Sequence, residues 1–285
     1  MDIIDFHVHA GSFPLLRDDI QGLLTNFPFE TDVDVKEVFS NPVFLKAYLQ
    51  KLGVKRAVVL AECGPGTNYS IDSKLIAEFC KADPFFIPFG NINPNHHESP
   101  VDEWKKGREL GIKGYKFYPA DHDFDPFIDS MWEVYGLCER AGQPIMFHTG
   151  LTGQRDASQR FIRPSELRSL VEKYPDLRVV FAHGGKPNWY TEALEMATQY
   201  ENVFLDTALV PPADVVDWIK YSPTIQNKVL FGSDLPVSGG YSKLLEKYQA
   251  SELTEAAREA IFFGNASRLL SIELNEVAEQ VAKRA

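Results

Sequence analysis

The chain is short of several things, and each shortage narrows what it can be. It has three cysteines in 285 residues, Cys63, Cys80 and Cys138, and no Cys-x-x-Cys spacing. An odd count without that spacing argues against a disulfide framework and fits a reducing compartment, so the expected location is the cytoplasm. Basic charge is scarce, with 29 Lys and Arg against 40 Asp and Glu and a formal net charge of −11. Nucleic acid and anionic membranes call for a basic surface, so neither is expected as a partner. An anionic small molecule remains open, because a local arginine cluster overrides the global field. No apolar run reaches the length of a membrane-spanning helix. No charged-then-apolar leader precedes the first apolar stretch, Ile3-Ile4-Asp5-Phe6, so no signal peptide is expected. Linkers and low-complexity segments are missing too, and one domain over residues 1–285 is the expectation.

What the chain does have is a recurring alternation. Short apolar runs rich in Val, Ile, Phe and Tyr occur at 3–7, 56–61, 86–91, 114–118, 144–148, 178–183, 203–207 and 228–232. Several show no polar alternation, which is the pattern of strands buried on both faces of a parallel sheet. Between them lie amphipathic stretches at 71–82, 126–141, 164–174, 189–200 and 212–221, several beginning at or just after a proline, a favoured first-turn position. Eight strands alternating with helices predict an α/β fold, a (β/α)8 barrel. An open doubly wound sheet usually has fewer strands and a Gly-rich phosphate loop after the first, and here His7-Val8-His9 stands in that place. Segment 11–41 is an extra-long connection after the first strand. It carries Phe13, Leu15, Leu16, Phe27 and Phe29, so it is not a plain linker, and such loops are usually functional. Segment 151–163 is expected to border the same mouth, and 254–285 to form one or two helices closing the outside.

The chemistry-bearing pattern starts with His7-Val8-His9 at the end of the first strand. Residues i and i+2 of a strand share a face roughly 7 Å apart, so two imidazoles can converge on one metal ion. Alone, the pair reads equally as two hydrogen-bonding histidines at a surface turn. The other strand ends change this. His148 ends the fifth strand, His183 ends the sixth, and Asp234 follows the eighth. In a barrel the C-terminal strand ends face one shared cavity, so these residues would meet there. Lys116 ends the fourth strand. It is either an ammonium paired with a carboxylate or a carbamylated, anionic ligand bridging two metals. Tyr118 follows it as a candidate pocket wall.

A family resemblance rests on these residues. His7-Val8-His9, Phe147-His148-Thr149-Gly150, Phe181-Ala182-His183-Gly184-Gly185, Asn202-Val203-Phe204-Leu205-Asp206-Thr207, Phe231-Gly232-Ser233-Asp234-Leu235-Pro236 and Gly264-Asn265-Ala266-Ser267-Arg268-Leu269-Leu270 together resemble the amidohydrolase superfamily. The likeness runs from Ile3 to Leu270 and is greatest to the amidohydrolase-related branch, which holds lactonases, hydratases, amide and ester hydrolases and aromatic-acid decarboxylases. Lys116-Phe117-Tyr118-Pro119-Ala120 also resembles the lysine segment of dihydroorotase-like members with two metals. The resemblance implies that His7, His9 and Asp234 bind a first divalent ion. In a one-metal site His148 completes that shell and His183 contacts the activated water or the substrate. In a two-metal site His148 and His183 bind the second ion and Lys116 bridges. Zinc is the expected ion, with manganese, iron or nickel as alternatives. Asp234 and His183 are then the catalytic residues, and Asp234 takes the proton of a metal-activated water. The implied activity is hydrolysis of an amide, ester or lactone in a small, carboxylated molecule. Decarboxylation or hydration is the alternative, and a homodimer is a family-level expectation.

Weaker candidates surround this set. Arg155 is a candidate clamp for a substrate carboxylate, since guanidinium binds carboxylate bidentately. Arg160 and Arg163 read rather as ion-paired loop residues, with Arg163 introducing a helix. Lys186, Asn188 and Trp189 follow His183 and are placed at the pocket edge, although Trp189 equally suits helix packing. Cys63 reads as an inert thiol, His96 and His97 as surface residues, and His122 as part of a solvated loop. Asp5 is expected to face away from the metal and support the barrel.

Overall fold

The computed structural model describes residues 1–26, 30–64, 67–152, 160–238 and 240–271. Eight strands form one parallel sheet in sequence order: β1 (Ile3–Val8), β2 (Val54–Leu60), β3 (Phe86–Asn91), β4 (Gly114–Phe117), β5 (Ile145–His148), β6 (Val179–Ala182), β7 (Val203–Asp206) and β8 (Val229–Leu230). The barrel closes where β8 meets β1. Phe6 N donates to Phe231 O at 2.8 Å, Asp234 N to His7 O at 2.9 Å and His9 N to Leu235 O at 2.7 Å. This is the expected (β/α)8 architecture, with all eight strands where the apolar runs lie.

The helices are α1 (Asp18–Asn26), α2 (Val35–Ser40), α3 (Pro42–Lys51), α4 (Ser73–Lys81), α5 (Pro100–Glu109), α6 (Asp129–Arg140), α7 (Arg168–Lys173), α8 (Tyr190–Gln199), α9 (Pro212–Tyr221), α10 (Tyr241–Gln249), α11 (Glu255–Glu259) and α12 (Asn265–Leu270). Their starts are written locally. The side chains of Asp34, Asn41, Asp72, Ser99 and Thr254 each accept a hydrogen bond from a first-turn N–H, satisfying donors that have no partner inside the helix. Among the described residues no helix is long and apolar enough to cross a membrane.

Two expectations change. The described part of segment 11–41 holds α1, α2 and a short 3-10 turn at Phe13–Leu15, so it is a folded insertion rather than a loop; Phe27 and Phe29 lie outside the described residues. The described part of the tail does not close the outside only. Ala266 and Leu269 of α12 join Ile4, Phe6, Val58, Leu60, Phe89, Met146, Val180, Ala182 and Leu230 in the cluster that fills the barrel interior. The N-terminal end of the lumen is therefore plugged, and the C-terminal mouth is left for polar chemistry. Asp5 faces away from the metal as expected, and the cause lies in the register of β1. Strict alternation would put Asp5, His7 and His9 on one face. However, Ile4 and Asp5 pair with Arg56 and Ala57, while Val8 pairs with Val59, so β1 spends one residue more than β2. This bulge resets the facing. Ile4 and Phe6 point inward, and beyond the bulge His7 and His9 do so too. Asp5 is turned into the wall, where it accepts from His7 N, Ser233 N and the Tyr241 hydroxyl at 2.9–3.1 Å.

Candidate metal centre

Each proposed ligand sits at a C-terminal strand end, and the described geometry brings them together. His7 Nε2 lies 3.6 Å and His9 Nε2 3.3 Å from Asp234 Oδ1. Three donors from two adjacent strands thus converge within one cation's reach. The His183 ring is 5.0 Å from that of His7 and 4.7 Å from that of His148. Asp234 Oδ2 is 3.9 Å from His183 Nδ1. His9 is held from behind by Tyr69, stacked at 4.7 Å with the planes 3° apart.

Two partners fix the ring tautomers. His7 Nδ1 donates to Asp206 Oδ2 at 2.6 Å, leaving its Nε2 lone pair toward Asp234. His183 Nδ1 donates to Ala208 O at 2.9 Å, leaving its Nε2 lone pair free for the cavity. Asp206 also groups with His7 and His183 as a conceivable ligand triad. Its oxygens are already taken, by His7 and by Ala208 N at 2.6 Å, so it orients His7 rather than binding an ion itself. A carboxylate behind a candidate ligand histidine is the usual support of a metal site. Asp206→Ala is expected to weaken divalent-metal affinity about 10–100-fold, measured by chelator competition; unchanged affinity would remove that role.

The protonation states fit a cation. Burial pushes His9, His148 and His183 below the usual imidazole range, so they are neutral. Burial alone would raise Asp234, but the adjacent His7 and the hydrogen bond from His9 outweigh it and hold the carboxyl well below its usual range. Neutral imidazoles around an ionised carboxylate are what a divalent ion requires. His148 Nε2 is shut off from solvent and has no hydrogen-bond partner among the described residues. A buried polar atom left so needs an explanation, and a metal lone-pair role supplies one.

Opposite these ligands the mouth carries a second polar wall. Lys116 is fully buried, its Nζ 5.0 Å from the Tyr118 ring. Burial lowers its pKa to about 8, against the pull of Asp206, Asp234, Glu62 and Asp121. Tyr118 is buried, its ring 6.2 Å from that of His148. Glu62, just after β2, is pushed up to about 8 by burial and by the Asp121 charge. Lys186 is drawn toward Asp234 and Asp206 electrostatically while burial lowers its pKa. Arg155 lies outside the described residues. Arg163 forms an ion pair with Glu192 and introduces the 3-10 turn Pro164–Leu167, away from any clamp. Cys63 is half-buried, and burial raises its thiol to about 11, so it is inert as expected.

His122 departs from expectation: it is 4% exposed rather than solvated. Its ring packs 5.1 Å from Tyr118, and neither ring nitrogen has a partner. Burial lowers its pKa to about 3 from 6.5. A folded pKa below the unfolded one gives stability that is present above pH 6.5 and lost as pH falls toward 3, because the unfolded chain takes up the proton first. His122→Gln removes that dependence. The stability advantage of the parent chain over this variant should shrink in urea melts as pH falls through that window; a constant gap would contradict burial of a neutral ring.

Asp206, Glu62, Asp121 and Tyr69 were not singled out from sequence. The rule that found His148 and His183, polar residues at strand ends, applies equally to Glu62 after β2 and to Asp206 ending β7. Asp121 and Tyr69 lie inside loops, where no periodicity marks them.

The comparisons bear on this geometry. The chain resembles an uncharacterised TIM-barrel protein from Bordetella bronchiseptica, at 23% identity over 95% of this chain and 99% of that one, with a TM-score of 0.78. It resembles a probable 2-pyrone-4,6-dicarboxylic acid hydrolase from Acinetobacter baumannii at 13% identity (95% and 100% covered, TM-score 0.68). It also resembles a dihydroxybenzoic acid decarboxylase from Polaromonas with bound manganese, at 15% identity (97% and 98% covered, TM-score 0.66). These likenesses show the shared fold. No curated protein matches the chain. A family model described as amidohydrolase matches residues 4–272. Nearly the whole chain is thereby accounted for, and it belongs to the amidohydrolase family.

Proposed function

We propose that the protein is a metal-dependent hydrolase that cleaves an amide, ester or lactone bond in a small, carboxylated molecule. The observation that carries this reading is the convergence of His7, His9 and Asp234 beside a His148 Nε2 without a partner among the described residues. His7, His9, His148 and Asp234 would hold one divalent ion, zinc first by donor type. Such an ion supplies a Lewis acid that polarises a carbonyl oxygen and acidifies water. Lys116 feels the negative charges of Asp206 and Asp234, which favours an ammonium over a further anion at its Nζ, and so favours one metal over two. Asp234, ionised and beside His183, takes a proton from the attacking water and returns it to the leaving group. His183, neutral with its Nε2 lone pair toward the cavity, accepts a hydrogen bond from water or substrate. Tyr118 forms the wall opposite, and Lys116 and Lys186 offer positive charge to a substrate carboxylate.

A second reading, a non-oxidative decarboxylase or a hydratase, draws on Glu62. A carboxyl kept protonated in the mouth can return a proton to carbon after carbon dioxide leaves. The two readings separate in one screen of lactones, esters, amides and aromatic acids with metal-replete protein, following acid release and carbon dioxide together. Acid release without carbon dioxide is expected; carbon dioxide evolution would sink the hydrolase reading.

A further inference from the structure

The opposite end of the barrel carries a different charge pattern. A cavity of about 450 Å3 opens there among the starts of β2 to β6 and the end of α12. Its lining includes Arg56, Arg108, Lys113 and Arg178, and no carboxylate among the described residues. None of the four forms an ion pair among the described residues. In a chain of net charge −11, four cations around one cavity need a reason.

Part of the reason is architectural. Arg56 Nη1 donates to Pro84 O, and Arg178 donates to Leu269 O and Gly142 O. These bonds tie strand entries to helix ends. They satisfy donors but bring no negative charge. Helix dipoles bring some: α4, α5, α6 and α12 end near this cavity, each end worth about half a negative charge. Against four cations that leaves an excess of about two charges. Those last turns also carry Lys81, Lys106, Arg140 and Arg268 against Glu109 and Glu139, so the side chains there do not remove the excess. Arg56 is 8% exposed and Arg178 half-buried, so water screens both poorly, whereas Arg108 and Lys113 reach the exposed rim. Most of the remaining wall is apolar, Phe86, Pro88, Ile112, Pro144 and Leu270 among it, with Gln143 and Ser271 adding polar groups.

We propose that this cavity is a binding site for a small multivalent oxyanion of the phosphate type, remote from the metal mouth and independent of the reaction there. Guanidinium groups meet such oxygens in a bidentate fork, and the buried Arg56 and half-buried Arg178 set the positive floor while Arg108 and Lys113 close over the ligand. Occupancy stabilises the native chain, because the unfolded chain has no such convergence.

The test is calorimetric titration of full-length, metal-replete protein with inorganic phosphate, alongside thermal melts in phosphate and in sodium chloride of equal ionic strength. The comparison variant is Arg108→Ala with Lys113→Ala, since neither residue forms a backbone tie and the fold should survive; Lys113→Gln alone serves if the pair misfolds. One saturable site per chain is expected, weakened at least tenfold in the double variant and severalfold in the single one. Absence of saturable binding would overturn the proposal. So would binding of unchanged affinity in a folded variant, which would place the phosphate at the metal mouth.

Discussion

Replacing Asp234 with Asn should lower turnover by about 10²–10⁴-fold while the chain still folds. The expectation follows from what surrounds this carboxylate. His7 and His9 overcome its burial and keep it ionised, so at working pH it is a proton acceptor. Its backbone is set independently of that charge, by Asp234 N donating to His7 O and Ser238 N donating to Asp234 O. Asparagine keeps the shape and one oxygen toward His7 and His9 but cannot take a proton from water. Metal content measured beside kcat separates lost proton transfer from a lost ion. Full turnover in the variant would remove Asp234 as the base.

The second large effect needs no substrate. Gly150 follows His148 by two residues and has φ +91°. A Cβ there would meet Lys186 O at 2.3 Å, Lys186 N at 2.6 Å and Gly185 C at 2.8 Å, all backbone atoms that cannot swing aside. Gly150 N donates to Ile162 O within the loop after β5, and Leu151 N donates to Lys186 O, joining that loop to the one after β6. Gly150→Ala adds left-handed strain of about 1–2 kcal/mol to overpacking of about 1–3 kcal/mol. A loss of about 2–5 kcal/mol is a large share of a stability of about 5–15 kcal/mol. Gly111, at φ +82° with open space around its Cβ position, gives the control. Gly111→Ala carries the conformational strain alone. Urea melts should show the Gly150 variant losing clearly more than the Gly111 variant, with weaker metal binding as the rings of His148 and His183 are forced apart. Equal losses would mean the two loops yield to each other.

The strands were legible because each is a short run of β-branched and aromatic residues buried on both faces, and the site was legible because a barrel sends every strand end to one mouth. What was not legible has physical causes. Helix α5 buries only Pro100 and Gly107, so its apolar stripe is too thin to read as a helix. Helix α2 of the folded insertion is six residues long, too short for a helical period to stand out, and it packs on α3 and the Phe13–Leu15 turn. The β1 bulge is a matter of register between two strands, which a single strand's sequence does not encode. His122 sits among acidic residues in Asp121-His122-Asp123, a composition that reads as solvent-exposed, and it is buried by the loop turning under Asn95, whose amide donates to His122 O and Asp123 O. Asp206 was within reach, being a polar strand end, but its work lies behind His7, where motif spacing says nothing.

The metal assignment is tested most directly by elemental analysis of the purified chain beside a His7→Ala and His9→Ala double variant. One divalent ion per parent chain, lost in the double variant, is the predicted result. A parent chain that holds no divalent ion, and whose melting temperature does not move when zinc or manganese is added, would contradict it.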